Sequence, residues 1–255
     1  MKRDGVLFHA KHAYRPNSLG FCGPDENGTI LSHLQEGSGG DALVRTLQNF
    51  EAAYPFLKLI ARNSARKVFD YSVPEAYWVG NDLLSRVDPA DFLKFAREEL
   101  KGSGMKNLQA SFKPLEGGVI AHHSFYVMGT YVGSGGDGPN IVNDGRRKVA
   151  KLIDSCRVSW GTVLRVEARE LAVKSRPLRI GDAGLSLGEA GEKMVKYDPE
   201  VRPFGSVRAG DVVSIHWNYA CEVLSPRQTR NIQKYTAADM QTLNRLLSSD
   251  GSRRK

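Results

Sequence analysis

Cys156-Arg-Val-Ser-Trp-Gly-Thr-Val-Leu-Arg-Val166 is where the chain changes its period. Val158, Trp160, Thr162, Leu164 and Val166 alternate with other residues, the repeat of two expected of a strand with unlike faces. Short runs of the same character follow between Gly and Pro punctuation: Leu171 to Ser175, Pro177 to Ile180, Lys193 to Tyr197 and Asp211 to Trp217. Strands this short and numerous predict a small Greek-key or OB-like barrel. A final helix is expected over Pro226 to Leu247, with Ser-Arg-Arg-Lys as a frayed tail.

N-terminal to Cys156 the period is helical. From Asp41, a candidate N-cap, Leu43, Leu47, Phe50, Ala53, Tyr54, Leu57 and Ile60 recur at three- and four-residue spacing. Pro55 should kink or split that helix. Pro74 to Val87 forms a second helical segment. Asp88, followed by Pro at the first turn, starts a third that ends near Leu100. The first forty residues read as turns with isolated apolar groups and one short helix at Thr29 to Leu34. Leu115 to Val132 fits either a buried strand or an apolar helix, Gly133 to Gly138 a flexible loop, and Asn140 to Ser155 a helix. The expectation is an α+β protein: a mainly helical domain over 1–150, then a barrel with a C-terminal helix over 151–255. The length of 255 residues favours two domains.

The net charge is +8 and uneven, with 17 Lys+Arg against 11 Asp+Glu from Cys156 onward and 19 against 17 before it. Such an excess suits an acidic protein surface, an anionic ligand or nucleic acid, or is simply a basic surface. There is no apolar run near the ~20 residues of a membrane helix and no secretory h-region after Met-Lys-Arg-Asp. Cys22, Cys156 and Cys221 form no metal-finger spacing and cannot all pair. A reducing cytoplasm, with free thiols, is the compartment expected.

Chemistry is expected first at Cys156 and at His216, in Gly-Asp-Val-Val-Ser-Ile-His-Trp-Asn-Tyr-Ala. A thiolate and an imidazole together suit iron or another transition metal. The plainer alternative is a buried thiol and a hydrogen-bonded strand histidine. His122 and His123 adjoin in an apolar stretch and need polar partners if buried. On a strand they point to opposite faces, and on a helix about 100° apart. Cys22, in Cys-Gly-Pro-Asp-Glu-Asn, could present a thiol beside Asp25, although this is also ordinary turn chemistry. Glu75, Trp78 and Asn81 are candidate cofactor contacts in the second helical segment, while the aromatic residues there also suit a core. Cys221 falls on the opposite face from His216 if their strand continues. The glycine-rich stretch lacks the Lys-Ser/Thr of a phosphate loop, and neither a nucleophile elbow nor a His-Glu-x-x-His motif occurs.

The frame Cys156-x4-Gly161-x-Val163, several strands, Gly210-Asp211-x-Val213-x-x-His216-x-x-x-Ala220 and a helix after Val-Leu-Ser resembles the HypC/HupF chaperones that mature [NiFe]-hydrogenases. The resemblance covers about the last hundred residues. It implies an OB-like barrel in which Cys156 and His216 hold an Fe(CN)2CO unit for a hydrogenase large subunit or other maturation proteins. The chain departs from that pattern where the family's cysteine is nearly N-terminal and Cys156 is internal, with Trp160 in place of proline. The segments Arg-Pro-Asn-Ser-Leu-Gly-Phe-Cys-Gly-Pro-Asp, Pro-Glu-Ala-Tyr-Trp-Val-Gly-Asn and Ala-His-His-Ser-Phe look like an uncharacterised prokaryotic family with no assigned chemistry. Two other functions are carried forward. One is a metal- or small-molecule-dependent enzyme whose pocket draws on His122, His123, Cys22 and Asp25. The other, a less favoured one, is a nucleic-acid binder using Trp160, Trp217 and Tyr219 with Arg157, Arg165 and Arg208.

Overall fold

In the computed structural model, residues 4–99, 121–133, 143–181, 183–201 and 207–251 are described. The Leu115 to Ile120 part of the ambiguous stretch, the glycine-rich loop beyond Gly133, Ile141, Val142 and the Ser-Arg-Arg-Lys tail lie outside them.

The first helix is the main departure from the sequence expectation. α1 (Gly5–Ser18) starts where the Asp4 carboxylate accepts from the Val6 and Leu7 amides, at 2.8 and 3.1 Å. This is N-capping by a side chain that satisfies otherwise orphaned donors. Phe8, His9, Ala10, His12, Ala13 and Pro16 are all buried along α1. Its buried face therefore includes two histidines, and an apolar count along the segment does not register it. α2 (Asn27–Glu36) overlaps the expected short helix.

The helix expected from Asp41 is split, into α3 (Asp41–Gln48) and α4 (Ala53–Ser64), with Pro55 in the first turn of the latter. A proline is tolerated there because the amide it lacks has no helical acceptor. α5 (Ser72–Trp78) ends before Gly80, which has φ +89. A Cβ at Gly80 would lie 2.2 Å from the Tyr235 ring. A short 3₁₀ turn (Asp82–Arg86) follows, capped by Asn81. α6 (Pro89–Glu98) begins at Asp88, whose carboxylate accepts from the Ala90 and Asp91 amides. The ambiguous apolar stretch resolves as helix: α7 runs from His123 to Gly133, and α8 from Asn143 to Cys156.

The barrel strands are β1 (Ser159–Val166), β2 (Glu170–Ser175), β5 (Gly191–Lys196), β6 (Val212–His216) and β7 (Tyr219–Leu224). They close in the order β1-β2-β5-β7-β6, with β6 returning to β1. Numbered within the barrel, that is 1-2-3-5-4, and its third and fifth strands pair in parallel. This is the OB-like architecture expected. A two-stranded excursion, β3 (Leu178–Gly181) and β4 (Gly184–Leu187), lies between β2 and β5. Gly161 faces the barrel interior, where an added Cβ would come within 2.9 Å of Val173 and 3.3 Å of Ile215.

β4 and β7 are strands that the sequence reading did not place. β7 matters for the site. The chain does not run on from His216 to Cys221 but reverses through Trp217 and Asn218, both at positive φ (51° and 58°). His216 then pairs with Tyr219. Two left-handed residues in a two-residue hairpin match the right-handed twist of the flanking strands. Asn is suited to that conformation and Trp is not. Cys221 consequently belongs to the opposing strand, buried, with its thiol donating to the Tyr219 carbonyl.

α9 (Pro226–Gly251) packs against α7 and β4, and α1 packs against β6 and β7. One continuous apolar cluster includes Phe8, Phe56, Tyr77 and Phe125 from the helices and Val163, Val173 and Ile215 from the barrel. The seam between helices and barrel is therefore buried.

Candidate metal centre

Along that seam four histidines surround one indole. Ring centroids of His9, His12, His123 and His216 lie 5.5, 5.5, 4.5 and 5.5 Å from the Trp78 ring. All four are at least nine-tenths buried. His9 and His12 come from α1, His123 from the start of α7 and His216 from the end of β6.

The donors sort by hydrogen bonding. The Trp78 indole donates to His9 Nδ1 at 2.8 Å, so His9 carries its proton on Nε2, which has no partner. His12 Nδ1 donates to the Phe8 carbonyl, and its Nε2 accepts from the Ser214 hydroxyl at 3.1 Å. His216 Nδ1 lies 2.7 Å from the His12 carbonyl. A carbonyl only accepts, so the proton is on Nδ1 and the lone pair of His216 is on Nε2. That Nε2 is buried without a hydrogen bond. Metal-ligating histidines are held in this way, by a carbonyl that fixes the tautomer and leaves the other nitrogen free.

His123 Nε2 donates to the Cys156 carbonyl at 2.9 Å, and its Nδ1 accepts from the Tyr77 hydroxyl at 3.0 Å. The Cys156 carbonyl also lies beside the His216 ring. His123, Cys156 and His216 thus form a group whose ligand atoms are all within 4.8 Å of one another. Ligation at ~2.0–2.3 Å would require donor separations of about 3.5 Å, a contraction of about 1 Å. To bind, His123 must exchange one of its two present partners for the metal.

Electrostatics fit neutral donors. Burial pulls His216 down to about 4 and His9 and His12 to about 3, and it holds His123 well below the usual imidazole range. The imidazoles are therefore free bases at neutral pH. Burial also pushes the Cys156 thiol up to about 12, against the Trp217 indole, which favours the thiolate. An unpaired thiolate is too costly there, so the thiol ionises only when a cation replaces its proton.

The structure thus brings Cys156 and His216 together and adds His123. His122 turns elsewhere, with Nδ1 2.6 Å from Asp239 Oδ2 on α9 and both side chains fully buried. It is not part of the three-donor group. Asp25 is exposed and is not one of the clustered donors. Cys22 is half-buried and packed against the core, and burial pushes its thiol up to about 11. Glu75, 1% exposed, binds Asn81 at 2.9 Å, Gln228 at 3.1 Å and Arg227 at 3.2 Å. With Asn81 it fastens α5 to the start of α9. Trp78 is the central ring of the histidine cluster. Of the residues considered for nucleic-acid stacking, Arg157 and Tyr219 are buried, and Arg157 pairs with Asp154. His9 and His12 were not singled out from sequence, where His-Ala-Lys-His reads as polar filler. Their three-residue spacing on a helix was the available signal.

Comparison with known proteins places the chain in a family: residues 1–250 match the model of a family of unknown function, DUF6390, and the chain belongs to it. No curated protein and no solved structure matches. Among the described residues, no helix is long and apolar enough to cross a membrane.

Proposed function

We propose that this protein holds a transition metal at His123, Cys156 and His216. The observation that carries the reading is the convergence of these three donors at one buried spot from three separate elements, with His216 Nε2 free and its tautomer fixed. One thiolate with two imidazoles favours zinc, copper or iron over magnesium or calcium, which prefer oxygen. A three-donor set leaves at least one coordination position for a further ligand.

In its specific form the cargo is iron as an Fe(CN)2CO unit, carried for assembly of a hydrogenase large subunit. Support for that form comes from the sequence frame around Cys156 and His216 in an OB-like barrel. Cys156 lies at the end of α8, and the Ser155 carbonyl accepts from the Trp217 amide at 2.7 Å. Release of a cargo would therefore require local opening beneath Trp217.

The test is purification without chelator, then metal analysis and infrared spectroscopy in the cyanide and carbonyl stretching region. Bands in that region with stoichiometric iron are the expected result for the specific form. Bound zinc or copper without such bands removes the hydrogenase role and keeps the metal centre. Failure to retain or rebind any of these metals removes both.

A further inference from the structure

We propose that Cys22 is the fourth protein ligand of this centre, brought in by a loop that closes over it. The inference rests on the metal-centre reading, which so far supplies one thiolate and two imidazoles.

Three observations place the Cys22 loop at the site. Phe21 stacks on Trp217 with ring centroids 4.1 Å apart and planes within 17° of parallel. Trp217 directly follows His216, and its amide is bonded to the residue before Cys156. An aromatic ring 60% exposed gains little from the fold except this stack, so the contact serves to hold the loop against the hairpin. Asn17, at the end of α1, donates through Nδ2 to the carbonyls of both Cys22 and Pro24, at 3.0 and 2.6 Å. Its own Oδ1 is buried without a partner. Gly23 takes φ +84, with a Cβ position only 2.4 Å from the Phe50 ring. No other residue fits there, and the turn directs the Cys22 side chain inward, packed against the core.

The strain at Trp217 points the same way. A Trp in the left-handed region is strained, because its Cβ crowds the following carbonyl oxygen, and such residues persist where the surroundings require them. Here the requirement is an indole stacked on Phe21, whose own N–H is buried without a partner. Cys22 is not among the donors within 4.8 Å. Metal binding therefore draws the loop inward. The Cys22 and Cys156 thiols each lose a proton to solvent, the two thiolates bond the metal, and any water in the fourth position leaves. The product is a Cys2His2 set, matched to zinc or another thiophilic ion.

The full chain is loaded with zinc alone, and X-ray absorption at the zinc edge counts sulfur neighbours near 2.3 Å. Wild type is expected to show about two sulfurs per zinc and Cys22→Ser about one, with both proteins folded by circular dichroism. Phe21→Ala, which removes the stack but no donor, is expected to keep two sulfurs and bind at least about tenfold more weakly, in the range seen for supporting contacts around a metal. One sulfur in wild type and in Cys22→Ser overturns the role of Cys22 and leaves the three-donor centre standing. No zinc in wild type overturns both.

Discussion

At the residue scale, the proposed metal binding turns on the tautomer of His216. Its Nδ1 proton is committed to the His12 carbonyl, so the only lone pair faces the Cys156 side of the seam. His216→Ala and Cys156→Ser should each weaken metal binding by at least about a hundredfold while leaving the fold intact, as isothermal titration would show; equal affinity in either variant excludes that side chain as a ligand. Binding must also strengthen as pH rises, because a thiol held near 12 gives up its proton to the metal while His216, held near 4, is already neutral. The expected slope between pH 6 and pH 8 is at least about tenfold in affinity per unit, and a flat profile would mean that no thiolate is bound. His216 was legible from its strand context and Cys156 from its place at the change of period, although Cys156 closes α8 and does not lie in β1. His123 could not be separated from His122 in sequence, because adjacent residues diverge by about 100° on a helix and only the start of α7 at His123 decides which ring faces the seam. His9 and His12 were hidden because they fall on the buried face of a helix that hydrophobic periodicity alone does not reveal.

At the scale of elements, the site depends on how α5 and α9 are joined. Glu75 is almost fully buried and accepts from Asn81, Gln228 and Arg227. Removing it takes one acceptor from each of the Asn81 and Gln228 amides, which keep their bonds to the Ser72 carbonyl and the Tyr71 hydroxyl. Glu75→Ala is therefore expected to cost about 1–3 kcal/mol, measured by urea denaturation at neutral pH; a loss under about 0.5 kcal/mol would show that the network is dispensable. The barrel was readable because short apolar runs and the Gly-Pro punctuation agree with one another, but the alternating set read along β1 lies outward, with Leu164 and Val166 exposed and Gly161 and Val163 turned in. β7 was not, because its beginning is set by a hairpin with Trp at a position that normally favours Asn or Gly. α1 was missed for a related reason: its capping Asp4 and its histidines look polar until the barrel is packed against them.

At the scale of the whole molecule, burying so many neutral imidazoles ties stability to pH. His9, His12 and His216 have folded pKa values lowered to about 3, 3 and 4 from 6.5. Between those values the unfolded chain binds more protons than the folded one, so their contribution is complete above about pH 6.5 and is lost as pH falls toward the folded values. Each such group removes about 1.4 kcal/mol per pH unit within that window, roughly 4 kcal/mol per unit for the three. Metal-free protein should accordingly melt at sharply lower temperature at pH 5 than at pH 7 and unfold near pH 4. A melting temperature unchanged down to pH 5 would contradict the neutral, desolvated cluster.

In the proposed function the seam between helices and barrel holds one metal through a shared set of donors. Titrating the chelator-treated full chain with cobalt(II) tests it most directly, because thiolate ligation gives an intense near-ultraviolet band and tetrahedral geometry strong visible bands. Saturation at one cobalt per chain with both features is expected in wild type, and marked weakening of both at the same cobalt concentration in Cys156→Ser and in His216→Ala. Saturable binding that keeps its spectrum in either variant, or spectra of a purely oxygen- and water-ligated ion, would contradict it.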